Sequence, residues 1–251
     1  MLALDLWFFL IAAPAVVFAG ISKGGFGSGA AFASASILAL IVEPGLALGI
    51  MLPLLMLIDA VTLRPYWRKW DFTASRNLIV GGVPGVALGA WFYTMVDDDV
   101  LRILIGVLSM GFVVWQLGIV PHLRARGRRD APQWVGLMAG SAAGFTSFVS
   151  HAGGPPAAIY LLGRGVSKLE YQASTVLVFW VINIAKFVPY AFLGLFTWRT
   201  LQANVMLAPF AVIGAWLGVK LHKLVPERAY FALTYTLLMI TGAKLVWDGL
   251  T

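Results

Sequence analysis

Two glycine-rich polar knots carry the residues of this chain that could do chemistry. The first runs Gly20-Ile21-Ser22-Lys23-Gly24-Gly25-Phe26-Gly27-Ser28-Gly29, the second Ser147-Phe148-Val149-Ser150-His151-Ala152-Gly153-Gly154-Pro155-Pro156. Glycine pairs interrupt a helix and leave backbone N–H groups free. Pro155 suits a first helical turn, where those groups lack partners anyway. A helix start aimed at a cavity attracts anions through its donors and its dipole. Lys23 adds positive charge, Ser22, Ser28, Ser147 and Ser150 add donors, and His151 donates when neutral and carries charge when protonated. Neither knot contains a carboxylate, so the chemistry expected is the binding of a small oxyanion and not of a cation. The predicted binding set is Ser22, Lys23, Gly24, Gly25, Ser28, Ser150, His151, Gly153, Gly154 and Pro155.

Three further polar residues fall inside apolar stretches: Asp59, Asn183 and Lys186. An ionisable group at membrane depth points to function. Asn183 and Lys186 join the predicted site, and Asp59 or His151 is the candidate for coupling to protons. At 1.5 Å per residue, Asp59 falls nearer the inner membrane face and Lys186 nearer the outer, so the count does not assure a direct pair between them. Simpler readings exist. Lys23 could snorkel to the surface, Asp59 could pair with Arg64, and His151 could bond only to backbone.

The elements that must position these residues are membrane segments. The chain has 251 residues, 60% hydrophobic and 12% charged, with mean hydropathy +0.87. A soluble domain carries about twice that charged fraction. Apolar stretches lie at 4–21, 26–42, 45–63, 77–95, 99–119, 133–149, 155–163, 171–195, 199–219 and 227–247. They form one all-α polytopic membrane domain over 1–251. The first stretch carries Asp5 where a leader would be basic, and is expected to be a membrane segment. Cysteine is absent, and no HExxH, GxSxG or P-loop occurs, so an enzyme is not expected, and neither metal nor cofactor is called for.

A basic linker at 121–132 divides the stretches five and five, giving repeat 1 over 4–120 and repeat 2 over 133–251. Gly24-Gly25 matches Gly153-Gly154 at an offset of 129, as Gly85/Gly89 match Gly214/Gly218. Ile58-Asp59 and Pro65-Tyr66 match Ile182-Asn183 and Pro189-Tyr190 at 124. The paired glycines Gly85/Gly89 and Gly214/Gly218 suit close helix packing. With both termini outside, 14 of the 18 Lys and Arg fall in inner connections. Five segments per half invert the second repeat, the pattern of transporters with a midplane site. The net charge of +7 then reads as topology signal, not as a nucleic-acid footprint. The stretch 155–163 is too short to cross, so it and 26–42 are either re-entrant, with Lys23 and His151 at the tips, or full crossings; the tip arrangement is preferred.

At these residues the chain resembles the TauE/SafE, or sulfite exporter, family of membrane transporters, along nearly its whole length. The resemblance rests on the two breaks, Gly24-Gly25-Phe26-Gly27 and His151-Ala152-Gly153-Gly154-Pro155. It extends to the aromatic turns Tyr66-Trp67-Arg68-Lys69-Trp70-Asp71 and Tyr190 to Trp198, and to the Gly-x-x-x-Gly helix closing each half. It implies export of sulfite or of a sulfonate such as sulfoacetate across a bacterial cytoplasmic (inner) membrane, by alternating access. The alternatives are an anion channel and a membrane-embedded enzyme. The expected partners are the small anion and the lipid bilayer, with a homodimer allowed for and no nucleic acid.

Overall fold

The computed structural model describes residues 4–26, 31–118, 132–221 and 227–251. The described residues form helices and connecting turns, with no strand among them. In chain order the helices are α1 (Leu6–Ile21), continued by a π-helical turn (Ser22–Phe26), α2 (Ala33–Leu38), α3 (Pro44–Leu63), α4 (Phe72–Tyr93) and α5 (Asp98–Gly118). They are followed by α6 (Gln133–Ser150), α7 (Gly154–Gly163), α8 (Lys168–Phe192), α9 (Trp198–Leu221) and α10 (Glu227–Leu250).

Local chemistry sets the starts. Asp5 and Asp71 cap α1 and α4 by accepting from Phe8 N and Ala74 N, each at 2.8 Å. Pro44 opens α3, and Ser167 with Glu170 forms a capping box on α8. Five of the helical spans are long and apolar enough to cross a membrane. Large apolar side chains such as Val80, Val114, Phe192, Val205 and Ile240 face outward, whereas Lys23, Asp59, Asn183 and Lys186 are buried. That inside-out distribution suits lipid as the solvent. Trp7, Trp134, Trp198 and Trp247 lie exposed near helix ends, as interfacial anchors do.

Several contacts of the first five helices recur among the last five, five places on in chain order. α1 packs on α9 as α6 packs on α4; α3 meets α9 as α8 meets α4; α5 meets its own counterpart α10, and α3 meets α8. The register of this exchange is legible atom by atom. A Cβ on Gly85 would strike the Ser141 carbonyl, and one on Gly214 the Val17 carbonyl. Gly89 likewise faces Phe145 O and Gly218 faces Ile21 O. Tyr66 donates to Gly24 O at 2.8 Å, and Tyr190 to Phe148 O at 2.5 Å. The glycines of α4 and α9 are thus equivalent at offset 129, but everything from α1 to α3 is equivalent to α6 to α8 at 124. This corrects one expected match. Gly24 corresponds to Phe148, not to Gly153. In a chain with 27 glycines the pair coincided by composition, while the hydrogen-bonded tyrosines fix the true register.

The paired glycines do serve packing, as expected: α1 and α9 approach backbone to backbone at Gly20, Gly214 and Gly218, and α4 and α6 at Gly81, Gly85, Gly140 and Gly144. The apolar stretch 26–42 yields only the six-residue α2. α7 has 10 residues, about 15 Å at 1.5 Å per residue, half of a ~30 Å hydrocarbon core. Neither short helix crosses alone. The basic linker lies outside the described residues except for Pro132.

Candidate functional site

Four elements bring polar side chains to one buried point between the halves: the π turn after α1, α3, the end of α6, and α8. The π turn is a widening of the helix that often accompanies functional positions. It sends Lys23 inward, where Lys23 Nζ lies 2.5 Å from Asp59 Oδ1, both side chains almost wholly buried. The second oxygen, Asp59 Oδ2, accepts from Asn183 Nδ2 at 2.8 Å. Asp59 and Asn183 are repeat equivalents at offset 124, so two equivalent residues touch each other. The exchange of halves therefore passes through this contact.

On the other side of Asn183 stands Lys186, fully buried. Its ammonium donates to His151 Nδ1 at 2.7 Å, to Ser147 Oγ at 3.2 Å and to Asn183 Oδ1 at 3.4 Å. Three acceptors surround three N–H groups. Lysine only donates, so His151 Nδ1 is the accepting nitrogen. Nε2 then carries the proton and donates to Leu48 O at 3.3 Å. The network assigns a neutral imidazole with both nitrogens in use. His151 is also the left-handed cap of α6, with φ 57°, a conformation uncommon outside glycine and one that turns its ring back toward α3. The Tyr190 ring lies 5.5 Å from Lys186 Nζ, in cation–π range.

A cavity of about 10 Å³ adjoins this cluster, lined by Lys23, Ser147, His151 and Asn183 on its polar side and by Phe32, Leu55 and Phe179 among its apolar residues. It has room for about one water and none for a sulfur oxyanion, so a ligand enters only when the walls move. A larger cavity of about 530 Å³ opens elsewhere, beside Asp5, Glu43, Asp248 and Arg102. Its acidic rim opposes an anion. The segment carrying α2 touches both: Ala31 and Phe32 line the small cavity, and Ala39 to Glu43 the large one.

The predicted residues divide. Lys23, His151, Asn183, Lys186 and Asp59 meet in the cluster. Lys23 neither snorkels nor stands at a surface, and Asp59 pairs with Lys23 and not with Arg64. Asp59 and Lys186, placed toward opposite faces by the residue count, instead meet in one cluster, with Asn183 bonded to both. Ser150 is elsewhere: its hydroxyl donates to Thr146 O at 2.9 Å. Gly24 and Gly153 are packing positions, facing Ala215 O and Phe179 with Ala143 O respectively. Ser22 and Gly25 are buried in the π turn, and Gly154 and Pro155 start α7 beside His151. Ser28 lies outside the described residues. Two supporting residues were missed. Gln172 Nε2 donates to Lys23 O at 2.6 Å, and Tyr66 donates to Gly24 O; together they bond two carbonyls of the π turn. Burial raises the Tyr66 hydroxyl above its usual range, which keeps it a donor.

The family model described as "Sulfite exporter TauE/SafE" matches residues 12–245. No curated protein and no solved structure matches. The match spans nearly the whole chain, and the protein belongs to the TauE/SafE family of membrane transporters.

Proposed function

From that membership we propose that the protein carries a small sulfur oxyanion, sulfite or a related sulfonate such as sulfoacetate, out of the cell by alternating access around the Lys23–Asp59–Asn183–Lys186–His151 cluster. The observation that carries this reading is a buried, cation-rich cluster at the contact between two reciprocally packed halves, beside a cavity too small to be an open pore. Carriers built from inverted repeats place their sites at such a contact. The closed walls favour a carrier over a channel. Export of an anion from a negative-inside cell gains about 2.3 kcal/mol per charge per 100 mV, enough for transport without a coupling ion.

In this reading the second half is inverted in a bacterial cytoplasmic membrane and both termini face outward. Cysteines placed singly at Asp98 and Arg126, in a chain with none of its own, are expected to label from opposite sides. Labelling of both from outside contradicts the topology. The function itself is tested in proteoliposomes, with membrane potential and pH gradient varied separately. Saturable sulfite flux driven by potential alone supports the reading. Absence of flux under either gradient overturns it.

A further inference from the structure

We infer that the site is balanced for one negative charge, so that it takes monoanions (hydrogen sulfite or a simple alkylsulfonate) and rejects dianions: sulfate and also sulfoacetate, whose carboxylate adds a second charge and removes it from the candidates above. This rests on the transport reading above and names the class of ion that reading leaves open.

The charges at the cluster can be counted from contacts. Lys23 and Asp59 form an ion pair at 2.5 Å and cancel. The carboxylate faces Lys23 through Oδ1, and its Oδ2 accepts from Asn183 at 2.8 Å. His151 is neutral by its two hydrogen bonds. Ser147 and Asn183 are neutral. Lys186 Nζ faces three polar partners, none of which carries charge, so in its ammonium form it has no counter-charge among them. Hydrogen bonds satisfy its donors. They do not cancel its charge. A buried charge left without a counter-charge is costly.

The cavity places the remedy. Its polar wall consists of the three hydrogen-bond partners of Lys186 together with Lys23. An anion expanding that cavity meets Ser147 and Asn183 as donors and comes within reach of both ammonium groups. One negative charge brings the cluster to neutrality. A second leaves the same low-dielectric space with an excess charge of the opposite sign. The half-to-half comparison shows how this came about. At the shared register, Lys23 and Asp59 correspond to Ser147 and Asn183, and Lys186 corresponds to Thr62, a neutral hydroxyl that bonds back to Ile58 O at 2.8 Å and Asp59 O at 3.2 Å. One half contributes a cancelled pair and the other contributes a single unmatched cation.

The test is competition and charge counting in reconstituted protein. Methanesulfonate, a monoanion at every working pH, is expected to inhibit sulfite flux at least about tenfold more strongly than sulfate, and electrogenic flux is expected to move one charge per sulfite. Lys186→Gln is expected to lose methanesulfonate inhibition by at least about tenfold. The double variant Asp59→Asn with Lys186→Gln, which frees Lys23 and restores a single positive charge, is expected to recover much of it. A merely structural role for Lys186 does not predict that rescue. Sulfite flux with equal inhibition by sulfate and methanesulfonate, or with two charges per anion, overturns the charge rule while leaving transport standing. No flux of any sulfur anion in the unaltered protein overturns both.

Discussion

The two halves of the molecule use one scaffold to hold opposite chemistry. In the first half the inward-facing pair is Lys23 and Asp59, ionic and self-cancelling. At the equivalent positions of the second half stand Ser147 and Asn183, neutral, with Lys186 supplying charge from a position where the first half has Thr62. Around them the supports are duplicated: the tyrosines Tyr66 and Tyr190 on equivalent carbonyls, and the glycines of α4 and α9 on equivalent backbones. Repetition builds the frame, and divergence at its centre builds the site. An exact repeat would carry either two ion pairs, with no net attraction for an anion, or none.

If that division is right, frame substitutions act alike in both halves and site substitutions do not. The largest effects are expected in the frame. Gly85→Leu and Gly214→Leu each drive a side chain into a facing carbonyl, of Ser141 or Val17, where backbone cannot retreat. Both variants are expected to lose folded protein from the membrane, and fluorescence-detected size exclusion in detergent reads this. A well-folded Gly214→Leu beside a lost Gly85→Leu breaks the equivalence.

Next comes the central pair. Asp59→Leu strands the buried Lys23 ammonium and is expected to cost about 3–5 kcal/mol, the scale for breaking a buried ion pair. Asn183→Leu, its equivalent, removes only hydrogen bonds and is expected to cost about 1–3 kcal/mol. Thermal unfolding in detergent ranks them. Equal losses deny the asymmetry of charge.

Smaller and symmetric effects are expected from Tyr66→Phe and Tyr190→Phe, each orphaning one carbonyl for about 1–3 kcal/mol, again by thermal unfolding. A tyrosine that proves dispensable on one side sharpens where the frame is rigid. Smallest of all is Lys244→Ala. Its partner Asp248 lies one turn on and both are solvent-facing, so a change of about 0–1 kcal/mol is expected.

Much of the frame was legible in the sequence because glycine pairs, prolines and apolar runs report packing and length directly. The ten segments, the division into halves and the Gly85/Gly214 equivalence came from such signals. The Asp59–Asn183 equivalence was also there, at an offset of 124. What the offset could not convey is that these two touch, since equivalence says nothing about distance from the axis of exchange. Lys23 was placed in the site by its polar knot, but its pairing with Asp59 was not, because a π turn leaves no mark in composition. The Gly24/Gly153 match misled for the opposite reason: glycine is common here, and its recurrence at one spacing was not a register. Gln172 and Tyr66 act through backbone carbonyls, which no residue pattern exposes.

The claim on which the rest depends is that the cluster between the halves is where the anion binds. Titrating sulfite into purified protein, unaltered and as Lys186→Met, with Lys244→Met as a surface control, tests it without the complication of flux. Binding retained in the unaltered protein and in Lys244→Met, and weakened at least about tenfold in a folded Lys186→Met, is the expected result. Sulfite binding to Lys186→Met as tight as to the unaltered protein would contradict the account.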